Sequence, residues 1–513
     1  MSPVEPQLRS AGMSKPLADV VSADVMPASA AIPGDVVIGD LTLDSRAVVP
    51  GGLFLATRGR THHGLKFAPQ AIARGARAVL YEESPDVSVP DFGPDVFVAA
   101  VPQLSQRASS IADRFFGAPS QAMTLAGITG TSGKTTCAWL LAQALQFCGR
   151  PTAYMGTLGY GRPPTLTPTE HTTSDAVSVQ RHLAELRSLG AECVSMEVSS
   201  HALDQYRVAG VRFNTAAFTN LTRDHLDYHG TMEAYGAAKA RLFEWPSLSN
   251  RVINVDDPFG RALASQPSPA RLVITTRKGA ADATLNAEYV RATRTIADTA
   301  GLVIGIESSW GPAEFTVRLI GEFNVENVLT VLAVLLAWGI PLPDAVRALE
   351  KCRAASGRME MFGGRGLTPL AIVDYAHKPD ALSKALNAAR LHCRGQLRVV
   401  FGCGGDRDSG KRPLMGRIAA ELADELIVTD DNPRTEDPAR IVADILAGIG
   451  GAAPVVVEHD RAAAIRMALQ RSVPDDVVLV AGKGHEVYQI YGTVRRPFVD
   501  QAIVAAALEG RRL

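Results

Sequence analysis

The most informative stretch of this sequence is Met123–Phe147, which reads MTLAGITGTSGKTTCAWLLAQALQF. Its first part, Met123 to Ile128, is apolar and of strand length, and the pattern from Thr135 to Phe147 is that of a helix. A turn rich in glycine and hydroxyl residues joins the two. A strand, a glycine-rich turn and a helix in this order are typical of a parallel α/β sheet, so this stretch predicts an α/β fold.

The turn has the composition of a phosphate-binding loop. Gly130 and Gly133 leave backbone N–H groups open at a helix N-terminus, Lys134 supplies a cation for the β- and γ-phosphate oxygens, and Thr135 supplies a hydroxyl for Mg2+. The strict spacing G-x-x-x-x-G-K-[ST] would need glycine at position 128, where this chain has Ile128. The loop is therefore a variant of that motif, and we predict that it binds ATP with Mg2+.

Strand-like and helix-like patterns alternate on both sides of this stretch. They predict three domains: a small N-terminal α/β domain over residues 35–102, a central parallel-sheet domain over 103–354 that contains the phosphate loop, and a doubly wound C-terminal domain over 355–513. Residues 1–34 are interpreted as a flexible leader. Between Ala283 and Ile320 the apolar period becomes two, which predicts antiparallel strands appended to the central sheet.

Composition narrows the class of protein. The 513 residues include 52 Lys and Arg against 53 Asp and Glu, a net charge of -1, so no overall basic field favours a nucleic-acid partner. The six cysteines include no C-x-x-C pair, which indicates a reduced, cytoplasmic protein. The longest apolar run, Val328 to Leu342, is shorter than the roughly 18 residues of a membrane span and predicts a buried helix.

Glu197 is the first candidate metal ligand outside the loop. It follows the apolar run Cys193 to Met196, and a carboxylate at the end of a neighbouring strand could hold Mg2+ directly or through water. A strand-end glutamate in solvent is an equally good interpretation of the residue by itself.

Several motifs together resemble the Mur ligases, the ATP-dependent amide ligases that build the peptide of the bacterial cell wall. They span about Leu43 to Glu486 and are the variant loop Thr129–Thr136, EVSSH at 197–201, NLTRDHLD at 220–227, AAK at 237–239, GRME at 357–360, DYAHKP at 374–379, GCGGDRD at 402–408 and DNPR at 431–434. The resemblance implies that the chain joins meso-diaminopimelate to UDP-N-acetylmuramoyl-L-alanyl-D-glutamate, as a monomer. The three domains would bind the UDP-sugar, ATP and the amino acid, in that order.

The resemblance also implies roles at the phosphate loop. The ATP-binding residues would be Gly130, Thr131, Ser132, Gly133, Lys134, Thr135, Thr136 and Arg358. The metal ligands would be Thr135, Glu197, His225 and Lys239, and the catalytic residues Lys134, Lys239 and His225. The Lys239 side chain would carry a carbamate, which would act as an additional carboxylate-like ligand.

Two further sets follow from the same resemblance. The UDP-sugar would contact Leu43, Ser45, Arg60, Thr61, His62, Thr172, Thr173, Ser199, Gln205 and Arg207. The amino acid would contact Arg407, Asp431, Asn432, Pro433, Arg434, Gly482 and Glu486. Because guanidinium groups pair bidentately with carboxylates, Arg434 favours meso-diaminopimelate, which has two carboxylates where lysine has one. Glu486 would accept an ammonium group.

Three other functions are considered. A folate polyglutamate ligase shares a similar central domain, but it would lack the N-terminal UDP-sugar domain. A P-loop switch protein would need a base-reading N-K-x-D motif, which this sequence does not contain. A scaffold that binds ATP without turnover is disfavoured because Lys134, Glu197, His225 and Lys239 are all present.

Overall fold

The computed structural model describes residues 14–21, 32–59, 62–85, 88–279, 285–451 and 453–510. These residues form two compact units. The first holds the chain up to Ala138 with Gly149–Ile253 and Asp257–Leu272, and the second holds Trp139–Cys148, Asn254–Asp256 and the chain from Val273 onward. Within the described residues, every helix is too short or too polar to span a bilayer.

The N-terminal part of the first unit is a small parallel sheet with helices on its faces. Its strands are hydrogen-bonded in the order β3-β4-β5-β6. The elements are β1 Lys15–Pro16, α1 Leu17–Val20, β2 Val37–Ile38, β3 Asp40–Thr42, β4 Gly52–Ala56, α2 Ala68–Ala73, β5 Ala76–Glu82, β6 Phe97–Val101 and α3 Leu104–Phe115.

The structure corrects one sequence interpretation here. Part of the proposed leader is structured: Leu17 and Val20 on α1 are fully buried in the same core as Ile111 and Phe115 of α3. The burial of two apolar residues three apart on one helical face explains why this segment packs. The same core also contains Ala176 and Val177, so α3 packs against both the N-terminal sheet and the part of the unit that follows it.

The central part of the first unit contains the phosphate loop. Its elements are β7 Thr124–Thr129, α4 Lys134–Phe147, β8 Thr152–Gly156, β9 Gly159–Arg162, β10 Thr165–Thr167, α5 Ala176–Ser188, β11 Cys193–Glu197, α6 Ser200–Asp204, β12 Thr215–Phe218, α7 Leu226–His229, α8 Met232–Ala240, β13 Asn250–Asn254 and α9 Pro258–Ala264. The order is β10-β9-β8-β11-β7-β12-β13, with β8, β11, β7, β12 and β13 parallel. The residues that follow β7, β11 and β12 therefore meet at one edge of the sheet.

The second unit begins with the strands of period two. The elements are β14 Arg271–Thr276, β15 Glu288–Asp298, β16 Gly301–Ser308, β17 Ala313–Val317, α10 Phe323–Ala337 and α11 Leu342–Lys351. Strand β15 pairs with β14 in parallel, whereas β16 is antiparallel to both β15 and β17, which confirms the antiparallel strands predicted from the apolar period. Helix α10 is almost entirely buried, as predicted for the longest apolar run.

The C-terminal part of the second unit is a doubly wound sheet, as predicted. Its elements are β18 Glu360–Gly363, β19 Leu370–Asp374, α12 Pro379–Arg390, β20 Leu397–Phe401, α13 Lys411–Leu422, β21 Glu425–Val428, α14 Pro438–Ile449, β22 Val455–Val457, α15 Arg461–Arg471, β23 Val477–Ala481, β24 Tyr488–Tyr491, β25 Val494–Pro497 and α16 Asp500–Glu509. The order is β18-β19-β23-β20-β21-β22, with β18 antiparallel and the other five parallel. Apolar cores cover both faces.

Candidate active site

The phosphate loop runs from the end of β7 to the start of α4. Gly130 has φ of +150°, and a Cβ at this position would lie 1.9 Å from Thr219 Oγ1, so only glycine fits. The segment after β12 supports the loop: Thr131 N donates to Asn220 O at 2.8 Å, and Ser132 N donates to Asn220 Oδ1 at 2.9 Å. The loop is therefore held in place before any ligand binds.

Two lysines converge on the carbonyl oxygen of Gly130. Lys134 Nζ donates to it at 2.8 Å, and Lys239 Nζ, from α8, also donates to it at 2.8 Å. Burial lowers the pKa of Lys134. Burial and the neighbouring Lys134 together lower the pKa of Lys239 to about 6. At neutral pH the Lys239 amine is thus largely uncharged.

Oxygen atoms surround Glu197 at the end of β11. Its Oε2 accepts hydrogen bonds from Thr135 Oγ1 at 2.8 Å and from Thr157 Oγ1 at 3.2 Å. Its Oε1 accepts from Thr157 N at 2.9 Å and from the Tyr154 hydroxyl. Glu197 is 1% exposed, so the sequence-based alternative of a solvated glutamate is wrong. A carboxylate with two threonine hydroxyls is an oxygen donor set that fits Mg2+.

His225 lies in a separate cluster of rings. It has φ of +53°, and its ring centroid is 4.9 Å from that of His201. Its Nε2 is 3.5 Å from Asp224 Oδ2, and its side chain is 45% exposed. Within the described residues, no group of three or more His, Cys, Asp or Glu side chains is arranged to hold a metal. The catalytic and metal-ligating roles of His225 therefore stay predictions.

Tyr235 is a site residue that the sequence analysis missed. Its hydroxyl is 3.2 Å from Thr131 Oγ1, and Lys239 Nζ lies 4.4 Å from its ring centroid. The His225 ring centroid is 6.0 Å from that of Tyr235. The available signal was the i, i+4 spacing of Tyr235 and Lys239, which places both on one face of α8.

Four of the residues assigned to the UDP-sugar form one network beside Glu197. Thr173 Oγ1 donates to the Glu197 carbonyl at 2.9 Å and accepts from Ser199 N at 3.1 Å. Arg207 Nη1 donates to Thr173 O at 2.8 Å, and Arg207 Nε donates to Gln205 Oε1 at 3.0 Å. The structure thus brings together residues from three separate segments of the sequence.

The other residues of that set are placed as follows. Thr172 Oγ1 is 2.9 Å from Thr157 Oγ1, so it borders the oxygen atoms around Glu197. In the N-terminal sheet, Ser45 is buried and donates to Gln70 Oε1 at 2.7 Å, and Leu43 packs partly buried against the core. His62 is exposed. Arg60 and Thr61 lie outside the described residues.

The residues assigned to the amino acid lie in the second unit, at the carboxyl ends of β20, β21 and β23. Arg434 is half-buried, with φ of +54°, and its Nη1 donates to Gly405 O at 2.8 Å. A Cβ on Gly404 would lie 2.9 Å from that Nη1. Arg407 is exposed, and a Cβ on Gly404 would lie 4.0 Å from Arg407 Cγ. Both guanidinium-bearing side chains thus border one loop.

Glycines make this edge of the sheet very tight. A Cβ on Gly402 would lie 2.0 Å from Thr429 O, and one on Gly405 would lie 1.9 Å from Pro433 O. Gly482, with φ of +114°, faces Asp431, whose Oδ2 would be 3.1 Å from an added Cβ. These close approaches fix the loop after β20 against the DNPR segment.

Lys483 is a second residue that the sequence analysis missed. It is fully buried, and its Nζ donates to Glu486 Oε2 at 2.9 Å and lies 3.7 Å from Asp431 Oδ1. Asn432 Nδ2 also donates to Glu486 Oε2, at 2.9 Å. Burial raises the pKa of Asp431. Although burial acts to raise the pKa of Glu486, the bonds from Lys483 and Asn432 lower it overall, so this carboxylate is already charged and paired.

Arg358, assigned to ATP, also lies in the second unit. Its guanidinium carbon is 5.8 Å from the ring centroid of Tyr375. The next residue, Met359, donates its N–H to Asp374 Oδ2 at 2.8 Å, at the carboxyl end of β19. The GRME and DYAHKP motifs are therefore in contact.

Three domain models of one protein family match this chain. The Mur ligase middle domain matches residues 128–335, the glutamate ligase domain of Mur ligases matches 357–484, and the catalytic domain of the Mur ligase family matches 37–113. The chain is 48% identical over 510 residues to the UDP-N-acetylmuramoyl-L-alanyl-D-glutamate--2,6-diaminopimelate ligase of Alkalilimnicola ehrlichii, covering 98% of this chain and 99% of that protein. The enzyme of the same name from Pseudomonas aeruginosa is 48% identical over 466 residues, covering 91% and 94%.

A solved structure of a protein with that name is also similar. The two folds superpose with a TM-score of 0.75 at 35% sequence identity, over 98% of this chain and all of that one. The similarity therefore includes all three α/β sheets described above.

Proposed function

The chain belongs to the Mur ligase family, and we propose that it joins meso-diaminopimelate to the D-glutamyl carboxylate of UDP-N-acetylmuramoyl-L-alanyl-D-glutamate with hydrolysis of ATP to ADP and phosphate. The observation that carries this proposal is that the phosphate loop, with Lys134 and Thr135, lies beside the buried Glu197. A loop suited to phosphate and a carboxylate suited to Mg2+ are therefore adjacent. The names of relatives that match over almost the whole chain support the choice of substrates.

The chemistry explains why ATP is needed. A carboxylate is a poor acyl donor because its leaving group would be oxide, so its oxygen must first attack the γ-phosphorus of ATP to form an acyl phosphate and release ADP. The amine of the third residue then attacks the carbonyl carbon, phosphate leaves, and the amine loses a proton. Lys134 holds the β- and γ-phosphate oxygens for the first step, in a loop that is already in place.

Glu197, Thr135 and Thr157 would hold Mg2+, which their oxygen donors fit. When bound, the ion would neutralise charge on the phosphoryl oxygens. Thr135 Oγ1 and Thr157 Oγ1 both donate hydrogen bonds to Glu197 Oε2, and this proximity supports the proposal that the three side chains ligate one ion.

We further propose that Lys239 carries a carbamate. Its uncharged amine can attack CO2 to give a carbamate anion, with release of one proton. In the unmodified chain two lysine side chains compete for the Gly130 carbonyl oxygen. The modification replaces this unfavourable pair by an anion beside the Lys134 cation, which explains why a lysine is placed in such a buried position.

The network of Thr173, Ser199, Gln205 and Arg207 is proposed to position the UDP-linked peptide. It starts at the carbonyl of Glu197, so a substrate held there has its reacting carboxylate near the metal ligands. Arg434 is proposed to bind one carboxylate of meso-diaminopimelate in the second unit. Because Glu486 is paired with Lys483, we propose that it binds the ammonium group jointly with Asp431.

We also propose that the protein works in the cytoplasm as a monomer. All six cysteines lie in the described part of the chain and none of them forms a disulfide, which is typical of a reducing compartment.

Phosphate release tests the function directly. Each candidate amino acid is added in turn to the protein with ATP, Mg2+ and UDP-N-acetylmuramoyl-L-alanyl-D-glutamate, and the released phosphate is measured. The mass of the UDP-linked product is determined by mass spectrometry. We expect turnover with meso-diaminopimelate. A folate polyglutamate ligase would instead turn over a folate with glutamate, so turnover with that pair, and not with the UDP-linked peptide, would contradict the proposal.

A further inference from the structure

A cavity of about 670 Å3 in the second unit has no role in the proposed reaction. We call it the arginine pocket, because Arg318, Arg353 and Arg365 line it together with the apolar side chains of Met361, Phe362 and Leu367. The pocket lies near the start of β19, because Gly363 in its lining pairs with Leu370, the first residue of that strand. The ligand-binding edge of the sheet is at the other end of β19, where Asp374 is the last residue. At about 3.3 Å per residue, the strand separates the pocket from the ligand-binding edge of the sheet by roughly 13 Å.

The three guanidinium groups lack acidic partners. Arg318 Nη2 donates to Gly363 O at 2.9 Å, and Arg353 Nη1 donates to the backbone carbonyls of residues 350, 351 and 352. The Arg365 side chain makes no hydrogen bond or ion pair with any residue that the structure describes. Throughout the described ranges, none of the three arginines forms an ion pair with a carboxylate.

Of the three pocket arginines, Arg318 is buried, at 8% exposed, whereas Arg353 and Arg365 are exposed. Buried arginines elsewhere in the same unit are paired with carboxylates: Arg398 contacts Asp476 and Glu425, Arg412 contacts Glu436 and Asp444, and Arg461 contacts Asp500, all at 2.6 to 2.9 Å. Arg318 differs from them, because no described carboxylate pairs with it and two more arginines line the same cavity. A buried cation without an acidic partner is costly, so this arrangement favours an external anion.

The pocket is held in position by its surroundings. Arg318 and Arg353 are joined by a β-bridge, and the Arg353 carbonyl accepts hydrogen bonds from Trp139 Nε1 at 3.1 Å and Gln143 Nε2 at 2.9 Å. Burial, together with repulsion from Arg365 and Arg353, lowers the pKa of Arg318 to about 10. An anion in the cavity would therefore meet three guanidinium groups that are already assembled.

We propose that the arginine pocket binds a phosphate ester whose organic part is apolar or aromatic, such as a nucleotide. Guanidinium groups pair bidentately with phosphate oxygens, and a phosphate monoester carries close to two negative charges at neutral pH, which suits three cations better than a single carboxylate does. Met361, Phe362 and Leu367 provide the apolar surface for the organic part, and Leu367 is 82% exposed at present.

The test measures AMP and inorganic pyrophosphate binding by isothermal titration calorimetry in magnesium-free buffer. The full-length Lys134→Ala protein is used, so that the phosphate loop contributes little. Arg365→Gln is the main variant because that side chain contacts nothing that folding would require. Arg394→Gln, which removes an exposed arginine of the same unit, is the matched control.

We expect Arg365→Gln to weaken AMP binding at least about tenfold and Arg353→Gln/Arg365→Gln to weaken it further, because charge-assisted hydrogen bonds are lost. Arg394→Gln should change it less than about twofold. Equal weakening by Arg365→Gln and Arg394→Gln, or dissociation constants above about 10 mM for both probes, would overturn the proposal. Binding of pyrophosphate without AMP would overturn the assignment of an apolar organic part.

Discussion

Arg434→Ala should remove the discrimination between meso-diaminopimelate and lysine. In the structure Nη1 of Arg434 is committed to Gly405 O, whereas Nε and Nη2 donate to no other group that the structure describes. These two nitrogens form the edge of the guanidinium that grips a carboxylate bidentately. Lysine has no carboxylate at this position, so it cannot use that edge.

The size of the effect follows from those two bonds. A hydrogen bond to a charged group contributes about 1.5 to 3 kcal/mol. In a half-buried site, water that hydrogen-bonds to the groups left behind offsets part of this loss. A net loss of about 2 to 4 kcal/mol corresponds to about 30- to 1000-fold in kcat/KM. Arg434→Lys should recover only part of it, because a point charge cannot reproduce the fork.

The assay is steady-state ligation with meso-diaminopimelate and with lysine, at saturating ATP and UDP-linked peptide. Arg440→Ala, an exposed arginine on α14, is the matched control and should behave as the wild type. The reasoning fails if Arg434→Ala lowers kcat/KM equally for both amino acids, or if the wild type prefers lysine.

Three further predictions concern the first unit. Lys134→Ala should abolish ligation with an unchanged melting temperature, because the ammonium that faces the phosphates is lost from a loop held by other contacts; near-normal turnover would contradict the ATP site. Lys239→Ala should lose most activity without unfolding, and 13C NMR with labelled CO2 should show a carbamate signal in the wild type that this variant lacks. Burial lowers the pKa of His182 from 6.5 to about 4. The unfolded chain therefore binds an extra proton between these values, and the free energy of unfolding should fall by about 3 kcal/mol from pH 6.5 to pH 4 in a way that His182→Phe abolishes. Denaturant titrations at several pH values measure this, and parallel curves for the two proteins would refute it.

The sequence predicted the parts of the fold where local patterns are strong. The strand before the phosphate loop, the antiparallel strands β15–β17 and the doubly wound C-terminal sheet all have clear apolar periods. The segment around Leu17 was misinterpreted as part of a flexible leader. Two buried residues on one helical turn are too few to show the apolar periodicity of a helix.

The site was predicted less completely for a related reason. Lys134 and Thr135 belong to a contiguous motif, so their proximity follows from the sequence. Tyr235 and Lys483 act through contacts with distant segments, Thr131 in one case and Asp431 in the other. Only the topology of parallel strands brings those segments together.

The tight glycines at the carboxyl edge of the C-terminal sheet limit how this protein can evolve. Any side chain at Gly402 or Gly405 would collide with a backbone carbonyl, which cannot rotate away as a side chain could. We therefore expect these two positions not to tolerate substitution. Adaptation to a different third residue, or escape from an inhibitor that mimics it, has to proceed through exchangeable side chains such as Arg434 and Arg407. An inhibitor that rests on the glycine backbone would leave the cell few viable routes to resistance.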